Sequence, residues 1–377
     1  MRATVLRDPT LVKAAGRFVW LEMDTERAGN AALAERFDIE VWPTFLVVDP
    51  ATERPVLRWL GTATAPELVK LLADGRRALG EAGGDSAADL LARADRANGA
   101  GDAALAVRLF RLALEKGGPG WERRDRVLES LATALAAGGE ARACAELAVR
   151  EAGGMPRAQS FANVVAAGLA CAEGAGSESW AAEARAALEP LAREAVALPG
   201  VLADDRAGLY EVLVEARGAA QDEAGARKVA EAWWEFLVEE RARAKSPGAR
   251  VMLDSWFVAA ARALREPERG LPYLLASERE APRDYNPPFR LAALYLDAGR
   301  YGEALEASAR AVGLAYGPRK LSVMSQRAAI LEAAGKRAEA RRAVEEAIEF
   351  AGTLPSAQRD ERTLERLEAK LAKLEER

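Results

Sequence analysis

The sequence predicts a mixed chain, with an α/β segment first and an all-α array of helical hairpins after it. Three observations predict this. The run Val41-Trp42-Pro43-Thr44-Phe45-Leu46-Val47-Val48-Asp49 joins a fixed-φ residue to β-branched and aromatic residues, then meets the turn signal Asp49-Pro50. That pattern reads as a buried strand. Beyond Asp85 no convincing strand follows, only helical segments parted by Gly- or Pro-containing breaks. Those segments pair, and small residues recur in them at intervals of 34 and 36 residues.

Taken in order, Met1 to Gly16 reads as a helix tail and a turn. Phe18-Val19-Trp20-Leu21-Glu22-Met23-Asp24 is an apolar run closed by an acid, read as a strand. Asn30 to Phe37 is a connecting helix, Pro55-Val56-Leu57-Arg58-Trp59-Leu60-Gly61 a further strand, and Glu67 to Gly75 a closing helix. This succession resembles the thioredoxin fold over roughly the first 80 residues. Trp42-Pro43-Thr44 matches that family's cis-proline loop, and Gly61 the glycine after its last strand. The resemblance implies a cis peptide bond before Pro43 and a loop backbone that lies against a peptide, with Trp42 as the contact residue. It also implies that Gly61 lets a partner chain approach. The expected partner-binding residues are therefore Trp42, Pro43, Thr44 and Gly61.

One departure qualifies the match. The family's Cys-x-x-Cys, which precedes the strand matched by Phe18, is absent here, and the two cysteines are Cys144 and Cys171. The strand leading into that motif would lie upstream of Met1, leaving a gap between two buried strands. Buried unpaired amides cost about 1–3 kcal/mol each, enough to consume the stability of a small domain. Either the true start lies upstream, which is the favoured explanation, or the flanking strands pair directly in an altered sheet. As written, the chain cannot run dithiol chemistry at the usual position.

The bulk numbers narrow the function classes. A chain of 377 residues is long enough for two or three domains. Half the residues are apolar and 29% charged, with a net charge of −5 and interspersed signs, so no nucleic-acid or anionic-membrane footprint shows. There is no histidine, which removes the commonest general base and the commonest zinc ligand. No metal site and no cofactor are expected. Two cysteines fit a reducing compartment. No apolar run reaches membrane-span length and Met1 to Trp20 lacks a signal-peptide core, so a cytoplasmic location is expected.

A loose stretch over residues 81–85 reads as a linker, ending at the helix N-cap candidate Ser86. Residues 86–355 read as the hairpin array, with segments 158–198 and 203–240 helical but drifting from the repeat spacing. Gly270, Ala304 and Ala340 occupy matching places, each followed seven residues on by Ser277, Ala311 or Ala347 and preceded twelve back by Val258, Ala292 or Ala328. Leu274, Tyr295 and Val344 are read as filling the space between neighbouring hairpins. Ala106, Phe110 and Ala113 form an earlier copy, and in Glu140 to Arg150 the same roles are assigned to Ala143 and Leu147. This spacing resembles the tetratricopeptide repeat, in which small residues let paired helices approach and stacking buries each apolar stripe. Residues 356–377 read as a last helix with Leu364, Leu367, Leu371 and Leu374 on one stripe, as a solubilising cap or a short helix-pairing seam would show.

Candidate chemistry is sparse. Cys144 and Cys171 read as small buried packers. Trp233-Trp234-Glu235-Phe236 and Trp256-Phe257 read first as packing between hairpins, with a peptide groove as the alternative. Basic runs such as Arg123-Arg124-Asp125-Arg126 read as solvated helix faces. No carboxylate pair stands out in an apolar setting. The reading that follows is a protein-binding scaffold whose partners are proteins or peptides. The alternative is a thiol–disulfide oxidoreductase, or a thioredoxin-like chaperone, with its cysteines upstream of the given start.

Overall fold

A computed structural model describes residues 5–39, 41–80, 84–176 and 178–375. By its internal contacts the chain divides into two compact units, Met1–Trp20 with Glu40–Ala230, and Leu21–Ile39 with Glu231–Arg377. The first begins with a short helix α1 (Leu11–Ala15), then strands β1 (Thr44–Val48) and β2 (Pro55–Leu60) and helix α3 (Ala65–Leu79); α2 (Ala31–Arg36) lies in the second. The strands pair antiparallel, from Thr44 opposite Leu60 to Val47 opposite Leu57, with an irregularity at Val48. Helix α3 crosses β1 closely at Gly75, where a Cβ would stand 2.6 Å from Val47 Cγ2.

The strand expected at Phe18–Asp24 does not form. That run is irregular, and its apolar residues Val19 and Leu21 are 88% and 79% exposed. Among the described residues β1 pairs with β2 alone, so no third strand offers the ladder that an apolar run needs to become one. Among the described residues the α/β part thus holds a single hairpin with α3 against it, and no thioredoxin-like sheet is built. The helices expected at Asn30–Phe37 and Glu67–Gly75 are present as α2 and α3. Residues 1–4 and 81–83, which carry the start of the first helix tail and most of the expected linker, lie outside the described residues.

The remainder is helical. The first unit continues with α4 (Ala87–Gly99), α5 (Ala103–Gly117), α6 (Arg124–Ala137), α7 (Ala141–Glu151), α8 (Gln159–Gly174), α9 (Ser179–Val196) and α10 (Ala203–Ala219). Helix α11 (Glu223–Arg243) contributes residues to both units. The second unit holds α12 (Pro247–Val251), α13 (Asp254–Ala263), α14 (Leu271–Glu280), α15 (Asn286–Asp297), α16 (Tyr301–Leu314), α17 (Gly317–Ala333), α18 (Arg337–Thr353) and α19 (Glu361–Glu375).

One turn recurs through this array. Gly101, Gly139, Gln221, Arg265, Gly299 and Gly335 all have positive φ, between 57° and 81°. The next residue in each case (Asp102, Glu140, Asp222, Glu266, Arg300, Lys336) donates its amide five residues back, at 2.8–2.9 Å. This is the Schellman termination of a first helix, which satisfies carbonyls the helix end would otherwise orphan. Four residues beyond Asp102, Glu266, Arg300 and Lys336 stand Ala106, Gly270, Ala304 and Ala340, all buried. Counted the same way from Glu140, the matching seats are Cys144 and Ala148, both 0% exposed, rather than the expected Ala143 and Leu147. Ser277, Ala311, Ala347, Leu274 and Val344 are fully buried as the spacing requires. Leu367 and Leu374 of α19 pack into the same cluster as Val344 and Ala347.

Each unit also folds a piece of the N-terminal segment onto its helices. In the first, Leu68, Leu71 and Leu72 of α3 share a core with Leu57, Trp59 and Ala92 of α4, with Leu202 against it. In the second, Tyr285 and Tyr316 donate to Glu26 (3.1 Å) and Asp24 (2.8 Å), and Gln358 donates to the carbonyl of Thr25 at 2.8 Å.

Candidate functional site

The four residues singled out in the sequence meet at one corner of the β-hairpin. The Trp42–Pro43 peptide bond is cis. The amide of Gly61 donates to the carbonyl of Pro43 at 2.8 Å, extending the ladder one step past Thr44 and Leu60. Thr44 Oγ1 donates to the carbonyl of Val41 at 2.6 Å, which closes the loop on itself. Gly61 has φ +86°, and a side chain there would meet no atom within 4 Å. The backbone conformation, not lack of room, therefore demands glycine. Trp42 is 57% exposed and Val41 41%, so the corner presents an apolar, well-tethered surface.

A second feature was not legible in the sequence. Three carboxyls, Glu67 of α3, Glu129 of α6 and Asp205 of α10, converge where α3 meets the first helices of the hairpins. Asp205 Oδ2 accepts from Thr62 Oγ1 at 2.6 Å and from Gln159 Nε2 at 2.7 Å. Glu129 Oε1 accepts from Asn163 Nδ2 at 2.6 Å. Glu67 accepts from Ser160 Oγ at 3.3 Å, and through its other oxygen from the amide and hydroxyl of Thr64, both at 2.8 Å, closing the capping box of α3. These donors are all neutral. Burial, with the Glu67 charge adding to it, pushes Glu129 up to about 8. Burial likewise pushes Asp205 up to about 6. The sequence offered no signal for it: the neighbours of Glu129 on its helix face are Asp125, Arg126, Ala132 and Thr133.

The remaining candidates are structural. Arg126, read as part of a solvated basic run, is buried and donates to Asp95 at 2.8 Å. Trp234 packs edge-on to Phe257 at 5.2 Å, and Phe257 stacks on Tyr273 at 4.4 Å. Trp233 is 1% exposed, so these aromatics are core. Cys144 and Cys171 are buried free thiols. The neighbouring Cys171 and burial together hold the Cys144 thiol up. No exposed dithiol exists among the described residues, and the redox alternative gains no support from them.

No family model matches the chain, and no curated protein matches it. Solved structures similar to it include a tetratricopeptide repeat protein from Parabacteroides merdae, at 16% identity over 77% of this chain and 99% of that one, with a TM-score of 0.46. The TPR2AB domain of yeast Sti1 in its pHSP90 complex is similar at 12% identity, covering 76% and 98%, with a TM-score of 0.30. The Cut9–Hcn1 assembly of the APC/C is similar at 11% identity, covering 84% and 56%, with a TM-score of 0.35.

Proposed function

We propose that the chain is a protein-binding scaffold: a tetratricopeptide-like array over residues 86–355, capped by 356–377, that carries a peptide-binding corner in residues 1–80. The observation that carries this reading is the exposed indole of Trp42 on a loop tethered by the Gly61–Pro43 hydrogen bond. A large aromatic side chain on a fixed backbone is the arrangement that dominates binding energy at protein interfaces. Thr44 and Pro43 shape the loop, and Gly61 leaves open space beside it for a partner backbone.

Selection from a random-peptide phage library on the immobilised full chain tests the proposal. Peptides enriched on the wild type are expected to lose enrichment on Trp42→Ala. Equal enrichment on both would move binding elsewhere, for example to the groove of about 360 Å³ floored by Leu131 and Leu135 between α5 and α7.

A further inference from the structure

We propose that the second unit carries a binding site for acidic turns of the form Asp-x-Glu, which the chain's own Asp24–Arg27 fills in cis. Three separate stretches build it: the N-terminal ends of α15 and α17, and the turn Ser356–Gln358 before α19. Tyr285 and Tyr316 are the N-cap residues of the two helices, and their rings meet edge-on at 6.4 Å. Tyr285 packs against the cluster of Ala311, Ala315 and Val323, which holds its ring in place. Trp42 plays no part in this site.

Each part of the turn has its own receiver. Tyr285 Oη donates to both oxygens of Glu26, at 3.1 and 3.3 Å, and Arg319 Nε lies 3.5 Å from Glu26 Oε1. Tyr316 Oη donates to Asp24 Oδ2 at 2.8 Å, and the Arg27 guanidinium sits 4.5 Å from the centre of the Tyr316 ring. Gln358 Nε2 reads the backbone, donating to the carbonyls of Thr25 at 2.8 Å and Arg27 at 3.2 Å. The middle of the turn lies against Gly317, where a Cβ would run into the carbonyl oxygen of Glu26. The turn shapes itself as well: Asp24 Oδ1 accepts the amide of Glu26 at 3.0 Å, and the Asp24 carbonyl accepts Asn30 Nδ2 at 2.8 Å.

Hydrogen bonds to carboxylates and to backbone carbonyls are how a peptide is recognised, whereas a core segment is held by buried apolar side chains. Of residues 21–39 only Ala31 is buried. The turn therefore lies on the unit as a ligand lies on a receptor, kept there by the high effective concentration of a tethered group. A segment of another protein that presents two acids two residues apart on a turn meets the same receivers. It competes with the tethered copy, so its apparent affinity is reduced by the fraction of time the site is filled.

Fluorescence anisotropy of a labelled peptide with the sequence of Glu22–Asn30, titrated with the full chain, tests this. Asp24→Ala with Glu26→Ala disables the tethered ligand, and this opened chain is expected to bind the peptide about tenfold more tightly than the wild type. Adding Tyr285→Phe and Arg319→Met is expected to take that gain away. A peptide carrying Asp24→Asn and Glu26→Gln is expected to bind the opened chain about tenfold more weakly. Should the double variant fold poorly, Glu26→Gln alone keeps the shape of the turn and is expected to bind the peptide about threefold more tightly than the wild type. Equal affinity of the wild type and the opened chain would overturn the proposal. So would no binding to a folded opened chain, or binding that neither the amide peptide nor the receiver variants weaken.

Discussion

Thr62 Oγ1 donates to Asp205 Oδ2 at 2.6 Å, joining residues 143 apart in sequence. The bond ties the turn after β2 to the first residues of α10. Removing the hydroxyl leaves a half-buried carboxyl short of one donor, which costs about 1 kcal/mol. Thr62→Val is therefore expected to lower the denaturant midpoint with an unchanged slope, whereas Thr62→Ser should hold it.

The recurring helix termination makes a paired prediction. Gln221 adopts φ 57° and Gly299 φ 71°, both in the left-handed region. A side chain there costs about 1–2 kcal/mol. Gln221→Gly should stabilise by about 0.5–1 kcal/mol, part of the gain being offset by the freedom glycine has in the unfolded chain. Gly299→Ala should destabilise by about 1 kcal/mol, although its Cβ would meet no neighbour. Thermal denaturation of the two variants reads both signs.

In the second unit, Arg241 donates to Asp254 (3.2 Å), to Ser277 (3.1 Å) and to the carbonyl of Tyr273 (3.1 Å), with Asp254 fully buried. Arg241→Met strands that acid and should cost about 3–5 kcal/mol. Adding Asp254→Leu should restore much of the loss, as calorimetry of the single and double variants would show.

These cases also mark what the sequence could and could not disclose. The small residues at Gly270, Ala304 and Ala340 were legible because a helix hairpin admits no larger side chain there, and Gly299 and Gly335 announced the turns before the last two. Gln221 carries the same turn without glycine, so no residue type flagged it. The one-residue slip at Ala143 arose because an Ala- and Cys-containing run offers several small residues, and only the termination at Gly139 fixes the register. Phe18–Asp24 has strand composition, yet a strand is a property of two partners, and none of the described residues supplies the second. Glu67, Glu129 and Asp205 are ordinary acids in three separate helices until the fold places them side by side.

Their titration gives stability a definite slope. Glu129 and Asp205 hold protons in the folded state that the unfolded chain loses near pH 4 to 4.5. Their contribution is full below that range and is lost as pH rises, through about 6 for Asp205 and about 8 for Glu129. Between pH 6.5 and 7.5 the Glu129 proton alone gives up to about 1.4 kcal/mol per pH unit. Glu129→Gln should remove that part of the slope, and denaturation midpoints across this range compare the two.

The corner at Trp42 is tested most directly by isothermal titration of one phage-selected peptide into the wild type, Trp42→Phe and Trp42→Ala. An anchoring indole predicts a loss of about 2 kcal/mol or more for alanine, some thirtyfold in Kd, with phenylalanine in between. An unchanged Kd for Trp42→Ala would contradict partner binding at this corner.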